Sequence, residues 1–372
     1  TGRSGTWRRQ AVWSTLTGSR EARPEIRGLC RVSSGVEEWR TCLTAMLHEI
    51  VRCRVCGNSE LVQIMDLGTQ ALTGVFPESV DQVVESSPLV LVKCWGGTRH
   101  NACGLVQLRH SFETGRMYGL GYGYRSGLNS AMVEHLRLRA AKAKALVSLR
   151  PGDVVLDIGS NDGTLLRALA TPGVTLVGMD PTATKFREFY PPDARVIPDF
   201  FSSRLFRREL GSKRARLVTS IAMFYDLESP FDFVRQVAEV LEDDGIWVFE
   251  QSYLPTMLEM NAYDTICHEH LEYYALRQIH WLTERAGLRI LDVELNDTNG
   301  GSFCVTAARA TSSRSDNGGI VNDVLRREEL SGLDGLEIYE SFRQRVSRHK
   351  DDLRRSLGEL GRAGKRVFGY GA

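Results

Sequence analysis

Val154-Val155-Leu156-Asp157-Ile158-Gly159-Ser160-Asn161-Asp162-Gly163 reads as a buried strand that runs into a glycine turn and opens a helix. The apolar run has the character of a central parallel strand, covered on both faces. Gly159 and Gly163 stand where a backbone must turn tightly and let a ligand approach without Cβ interference. Asp157, near the strand's end, is placed to face the charged end of an adenosyl cofactor. A dinucleotide-binding turn would need glycines at 159, 161 and 164 to seat a pyrophosphate on the helix N-terminus. Asn161 and Thr164 occupy the last two positions, which argues against NAD.

Working outward, Thr175-Leu176-Val177-Gly178-Met179-Asp180 is a second short strand whose terminal carboxylate can accept hydrogen bonds from two ribose hydroxyls. With these two signals the chain resembles, over roughly residues 150–310, the class I S-adenosylmethionine-dependent methyltransferases. In that family the first strand ends in a D-x-G-x-x-x-G-like turn and the second in an acidic residue. Strands are expected near 154–158, 175–180, 195–198, 216–222, 246–251, 288–296 and 302–308, alternating with helices. The predicted fold class is therefore α/β, a Rossmann-like mixed seven-stranded sheet. Its last two strands form a hairpin across residues 296–301 that puts one antiparallel strand at the edge. Ligands of such sheets bind beyond the carboxyl ends of the strands. The candidate cofactor contacts are thus Asp157, Gly159, Asn161, Asp162, Gly163 and Asp180, with Asp199 and Phe200 after the third strand and Met223 after the fourth. Phe200 and Met223 can pack on an adenine ring or equally serve the core.

A chain of 372 residues suits two or three domains. With 47 basic and 46 acidic residues it has no global attraction to nucleic acid or to an anionic membrane. No apolar run has the length of a membrane span. The expectation is a cytoplasmic protein, a monomer or weak homo-oligomer, with neither nucleic acid nor membrane as partner. Residues 1–45 are Arg-rich and lack apolar periodicity, and are expected to be a non-native or disordered extension ahead of a start near Met46, a transit peptide being the alternative. Lys365-Arg366-Val367-Phe368-Gly369-Tyr370-Gly371-Ala372 reads as a strand entering a second glycine turn, the truncated start of a further domain. The expected parts are this extension, a zinc-binding domain at 46–116, a substrate loop and linker helix at 117–150, a cofactor-binding domain at 151–312, and a helical linker with the start of a third domain at 313–372.

Cys53-x-x-Cys56 followed by Cys94 and Cys103 is no disulfide framework, and such grouping suggests metal. Two thiolate knuckles can give zinc four sulfur ligands. His100 is a possible substitute for one thiolate, and four buried free thiols are the alternative. A closed site of this kind is structural, a staple for a small region. After it, the Gly-rich stretch at 117–127 carries Tyr122, Tyr124 and Arg125, suited to a polar ligand, with Arg125 as a phosphate fork, or simply to a packed connector. A helix is expected over about 129–148.

Downstream of the fifth strand, residues 261–274 crowd titratable and aromatic groups together. His268 and His270 are candidate general bases, Glu269 a group that orients or polarises, and Tyr273 a donor to an oxyanion. Histidines satisfied in packing are the alternative, and the spacing matches no helical zinc motif. The order CxxC, CGLVQL, YGYRSG, DIGSNDGTLL, MFYDL, EQSYLP, YDTICHEHLEYY and NGGSF resembles the sugar C-methyltransferases of deoxysugar biosynthesis across roughly residues 50–310. The 365–372 end is similar to the start of that family's C-terminal Rossmann-like domain.

The resemblance implies S-adenosylmethionine and zinc as cofactors and a nucleotide-linked keto-deoxysugar as substrate. It implies His270 as base with Glu269 beside it, and a tyrosine of the 122–127 loop in the site; some relatives carry Tyr where this chain has Cys267. Carbon methylation then proceeds by proton abstraction α to a ketone, with Tyr122, Tyr124 or Tyr273 stabilising the enolate oxygen. The diphosphate would lie against the third domain and Arg125. An O- or N-methyltransferase of a sugar or natural product is the alternative function, and a non-catalytic zinc-ribbon ligand-binding module a second.

Overall fold

The computed structural model describes residues 47–73, 79, 81–96, 102–112, 117–118 and 122–368, all within the unit Thr44–Ala372. The extension at 1–45, His100, residues 119–121 and the final glycine turn at 369–372 lie outside the described residues.

The expected seven-stranded sheet is present. Its strands are β6 (Val154–Ile158), β7 (Thr175–Met179), β8 (Arg195–Ile197), β9 (Ala215–Ile221), β10 (Leu241–Ser252), β12 (Leu288–Asn296) and β13 (Ser302–Arg309). The order across the sheet is β12-β13-β10-β9-β6-β7-β8. All five residues of β6 are buried, as its continuous apolar run requires of a strand flanked on both sides and covered on both faces. One expectation is corrected. The antiparallel strand β13 is not at the edge: it pairs with both β10 and β12, and β12 forms the edge. The glycine-rich hairpin folds β13 back between them, where Phe303, Val305 and Ala307 bury their side chains completely.

Helix α1 (Ser130–Val147) covers one face of this sheet. Asn129 caps it, its Oδ1 accepting from the Ala131 and Met132 amides at 2.9 and 3.3 Å. The helix buries Leu136, Ala140, Ala143 and Val147, a stripe at helical spacing, and Arg139 between them pairs at 2.8 Å with Glu250 of β10. On the other face Trp247 and Phe249 stack at 3.9 Å, and the Trp247 indole donates to Ser220 Oγ at 2.9 Å. Full burial of each such ring is worth about 1.5–3 kcal/mol.

The N-terminal region holds β1 (Leu47–Glu49) paired with β5 (His110–Phe112), and a second sheet of β2 (Leu61–Ala71), β3 (Ser86–Cys94) and β4 (Val106–Leu108). That sheet takes its fourth strand from far down the chain. β11 (Glu272–Tyr273) pairs antiparallel with β4, Glu272 opposite Gln107 and Tyr273 opposite Val106, and the Leu108 amide donates to the Leu271 carbonyl at 2.8 Å. The residues just before β11 are thereby fixed from the N-terminal side. Among the described residues no helix is long and apolar enough to cross a membrane.

Candidate active site

A cavity of about 910 Å³ opens at the carboxyl edge of the large sheet, where β6, β7 and β9 end. One end is built by the turn from β6 into α2 (Thr164–Leu169). Gly159 has φ +69°, and a Cβ there would come within 3.0 Å of Met223 Cγ. Gly163 has φ +71°, and a Cβ there would meet the Tyr190 ring at 2.9 Å. Both positions combine a left-handed backbone with close packing, which accounts for glycine.

Asp157 lies beneath the turn and accepts from Thr219 Oγ1 at 2.7 Å. Burial pushes its carboxyl up to about 7, with the Thr219 hydroxyl opposing and the Asp180 charge adding to the rise. A cation brought to this end of the cavity would reverse that shift. Asp180 accepts from the Asn161 amide at 2.8 Å and the Thr182 amide at 2.6 Å, one on each oxygen. The Thr182 hydroxyl also donates to the oxygen that the Thr182 amide meets, at 2.5 Å, so the oxygen facing Asn161 is the one that keeps a lone pair for a ribose hydroxyl. Phe200 and Met223 line the same end, Phe200 with 44 % of its surface open to a ring. These residues fit an adenosyl group. Asp180→Ala is therefore expected to raise the Kd for S-adenosylmethionine about tenfold or more in calorimetry, through loss of charge-assisted hydrogen bonds. An unchanged Kd would place the ribose elsewhere.

Asp162, Gly163 and Asp199 lie off the cavity wall. Asp162 accepts from the Gly127 amide at 3.0 Å and from Thr164 Oγ1 at 2.6 Å, while Asn161 accepts from the Ser126 amide at 2.9 Å and donates to the Tyr124 carbonyl at 3.1 Å. The two side chains clamp the tyrosine loop onto the glycine turn. Arg125 serves the same clamp, lying 4.1 Å over the Phe189 ring and 3.6 Å from Asp162, so it is no free phosphate fork. Asp199 accepts from the Phe200 amide next to it at 2.8 Å. Short polar side chains prefer such local backbone bonds.

The opposite end carries Tyr118, Tyr122, Asp226, Glu269 and His270. His270 Nδ1 lies 2.9 Å from the Thr265 carbonyl. A carbonyl only accepts, so Nδ1 carries the proton and Nε2 the lone pair. Nε2 has no hydrogen-bond partner among the described residues. Burial lowers the His270 pKa, against the opposing pull of the Thr265 carbonyl and Glu269, and the ring packs 4.2 Å from Tyr225. The Glu269 carboxylate accepts from the Thr73 hydroxyl, which reaches it from the end of β2. Burial raises the phenol pKa of Tyr122 and Tyr124, both on the wall, and keeps them as donors.

His268 and Tyr273 are not on this wall. His268 faces the N-terminal sheet, with Nε2 donating to the Ser87 carbonyl at 3.3 Å and its ring edge-on to Phe112. Tyr273 is a buried residue of β11. His268 is held by its bond to Ser87, and the Tyr273 backbone by the pairing of β11 with β4. Sequence reasoning assigned no role to Tyr118, Thr73 or Asp226. Asp226 had a signal, an acid shortly after the fourth strand, and so had Tyr118, on the same Gly-rich stretch as Tyr122 and Tyr124.

The four cysteines come together as expected. Cys53 Sγ is 3.6 Å from Cys103 Sγ, Cys56 Sγ is 3.5 Å from Cys94 Sγ, and all four lie within 4.8 Å of one another. Tetrahedral zinc with sulfur at 2.3 Å has edges of about 3.8 Å, so the cluster fits the metal. Asn58 Nδ2 donates to Cys94 Sγ at 3.4 Å. Between the first two ligands, Arg54 donates to the Leu108 carbonyl at 2.7 Å and to Glu228 at 3.3 Å, and lies 3.7 Å from Glu272. The knuckle is thus tied to both segments that flank the far end of the cavity.

Three family models match the chain: "Methyltransferase domain" at residues 132–293, "C-methyltransferase C-terminal domain" at 297–372 and "Putative zinc binding domain" at 53–118. The C-methyltransferase NovU of Streptomyces niveus is 29% identical over 334 residues, which span 88% of this chain and 77% of that protein. Similar solved structures include the mitomycin 7-O-methyltransferase MmcR, with 18% identity over 49% of this chain and 55% of that one and a TM-score of 0.38. The CcbJ methyltransferase of Streptomyces caelestis has 18% identity over 47% of this chain and 89% of its own, with a TM-score of 0.36. The chain is an S-adenosylmethionine-dependent methyltransferase that carries the domain set of the C-methyltransferases.

Proposed function

We propose that the chain methylates a carbon α to the ketone of a nucleotide-linked keto-deoxysugar by way of an enolate. The observation that carries this reading is His270. Its Nδ1–H is committed to Thr265, and its Nε2 lone pair is available in a cavity whose other end presents Asp157 and Asp180. An oxygen or nitrogen nucleophile needs at most the loss of a readily exchanged proton, whereas a carbon needs a base aimed at a C–H bond.

Bound S-adenosylmethionine supplies an electrophilic methyl group on a cationic sulfur. Asp180 would hold its ribose, Asp157 would face its charged end, and Gly159, Asn161, Phe200 and Met223 would enclose the nucleoside. His270 takes the α-proton, Glu269 tunes the imidazole and steadies the resulting cation, and Tyr122 or Tyr124 donates toward the developing oxyanion. Holding the two reactants in one cavity supplies much of the acceleration. The zinc would act at a distance by fixing the sheet to which β11 belongs. The test is wash-in of solvent deuterium at the α-carbon of a nucleoside-diphosphate 4-keto-6-deoxyhexose without methyl donor. Exchange is expected; methyl transfer without any exchange competence would favour an O- or N-methyltransferase.

A further inference from the structure

The short helical turn Phe224–Asp226 follows β9 and sets Asp226 in the cavity wall with Tyr118, Tyr122, Glu269 and His270. Asp226 Oδ1 is sealed from solvent and has no hydrogen-bond partner among the described residues, and the same holds for the Tyr118 hydroxyl beside it. Buried polar atoms are rarely left unpaired, and those that are point to a missing ligand. The fold makes no use of them.

The charges around Asp226 decide what kind of ligand. Glu269 faces it from the segment before β11, and Tyr118 and Tyr122 are its phenolic neighbours. Among the described residues that line the cavity there is no lysine or arginine. Two carboxylates sharing a cation-free pocket do not both ionise. Glu269 is the one with a donor, the Thr73 hydroxyl. Burial raises the Asp226 carboxyl well above the carboxylate range, and the Glu269 charge adds to the rise.

We propose that Asp226 keeps its proton and donates a hydrogen bond to the substrate's carbonyl oxygen, so that it is the acid partner of His270 in forming the enolate. This rests on the C-methylation reading and adds a residue to it. As the α C–H bond breaks, the proton passes to His270 Nε2 and its electron pair forms the C=C bond. The carbonyl π pair moves onto oxygen, where the Asp226 O–H meets the developing charge, with Tyr118 as second donor. A neutral acid suits this place because it donates without bringing a charge that would repel the enolate.

Deuterium wash-in at the α-carbon of a nucleoside-diphosphate 4-keto-6-deoxyhexose, run on the full chain without methyl donor, reads this step alone. Asp226→Leu, close in size and without a donor, is expected to exchange about a hundredfold more slowly than wild type. Asp226→Asn retains an N–H donor and is expected to stay within about tenfold of wild type. S-adenosylmethionine affinity and melting temperature certify the fold of each variant, and Asp226→Val is the second donor-free variant should leucine disturb it. Donor-free variants that exchange at the wild-type rate overturn the proposal. So does a folded Asp226→Asn protein as slow as the donor-free ones, since the group would then be acting as a carboxylate. Wild type that shows no exchange overturns instead the enolate reading beneath it.

Discussion

His270→Gln is expected to bind S-adenosylmethionine and the keto sugar as wild type does, while methyl transfer and solvent exchange at the α-carbon fall by about a hundredfold or more. The glutamine amide can still meet the Thr265 carbonyl, so the loss reports the base rather than the turn. His268→Gln is the matched control. Its side chain bonds Ser87 in the N-terminal sheet, so it should cost stability and leave the exchange rate within a few-fold of wild type. The pH dependence follows from burial. Because the folded-state pKa of His270 is lowered, the imidazole is already neutral at neutral pH. The acid limb of kcat/KM should accordingly fall below the usual histidine range, with rate lost as pH drops through it. Should the large loss fall on His268, the roles of the two histidines are exchanged; should exchange survive in both variants, the base lies elsewhere in the cavity.

That pair of histidines marks where the sequence was legible and where it was not. The hairpin strands 288–296 and 302–308 were readable almost to the residue, because a glycine-rich turn sits between an alternating run and a continuously buried one. The central strands were readable from continuous apolar runs, and the four cysteines from their grouping, with ideal spacing in the Cys53-x-x-Cys56 pair and His100 left as a substitute in the second. The density of polar groups over 263–274 identified the cavity segment without resolving it. Residues two apart on an extended strand share a face, but the His270 amide closes a turn on the Cys267 carbonyl at 3.2 Å and the two imidazoles part company. What drives that turn is the pairing of β11 with a strand some 165 positions earlier, Glu272 opposite Gln107, and no local pattern encodes it. The same limit explains Asp162 and Arg125. Both had the chemistry of ligand-binding groups, and both are spent on a clamp between two loops that are adjacent only in the folded chain.

The pairing also sets the expected effect of removing the metal. Native protein should contain about one zinc per chain, and either chelation or Cys53→Ser should lower the melting temperature sharply, since structural zinc sites contribute folding energy outright. Methyl transfer should be lost together with the N-terminal sheet, because β11 is one of its strands and His270 lies two residues before it. Binding of S-adenosylmethionine should survive, since Asp157 and Asp180 stand on β6 and at the end of β7, in the other sheet. This split separates a metal that positions the catalytic segment from one that merely keeps the protein soluble. Arg54→Ala sharpens it. The four thiolates remain and zinc content should be unchanged, but the ties to Leu108, Glu228 and Glu272 go. A lower kcat at constant zinc and constant cofactor affinity is the expected outcome. Metal-free protein that melts and turns over like the native enzyme would refute the four-thiolate site. An Arg54→Ala enzyme with unaltered kcat would show that the knuckle's hold on the catalytic segment runs through the strand pairing alone.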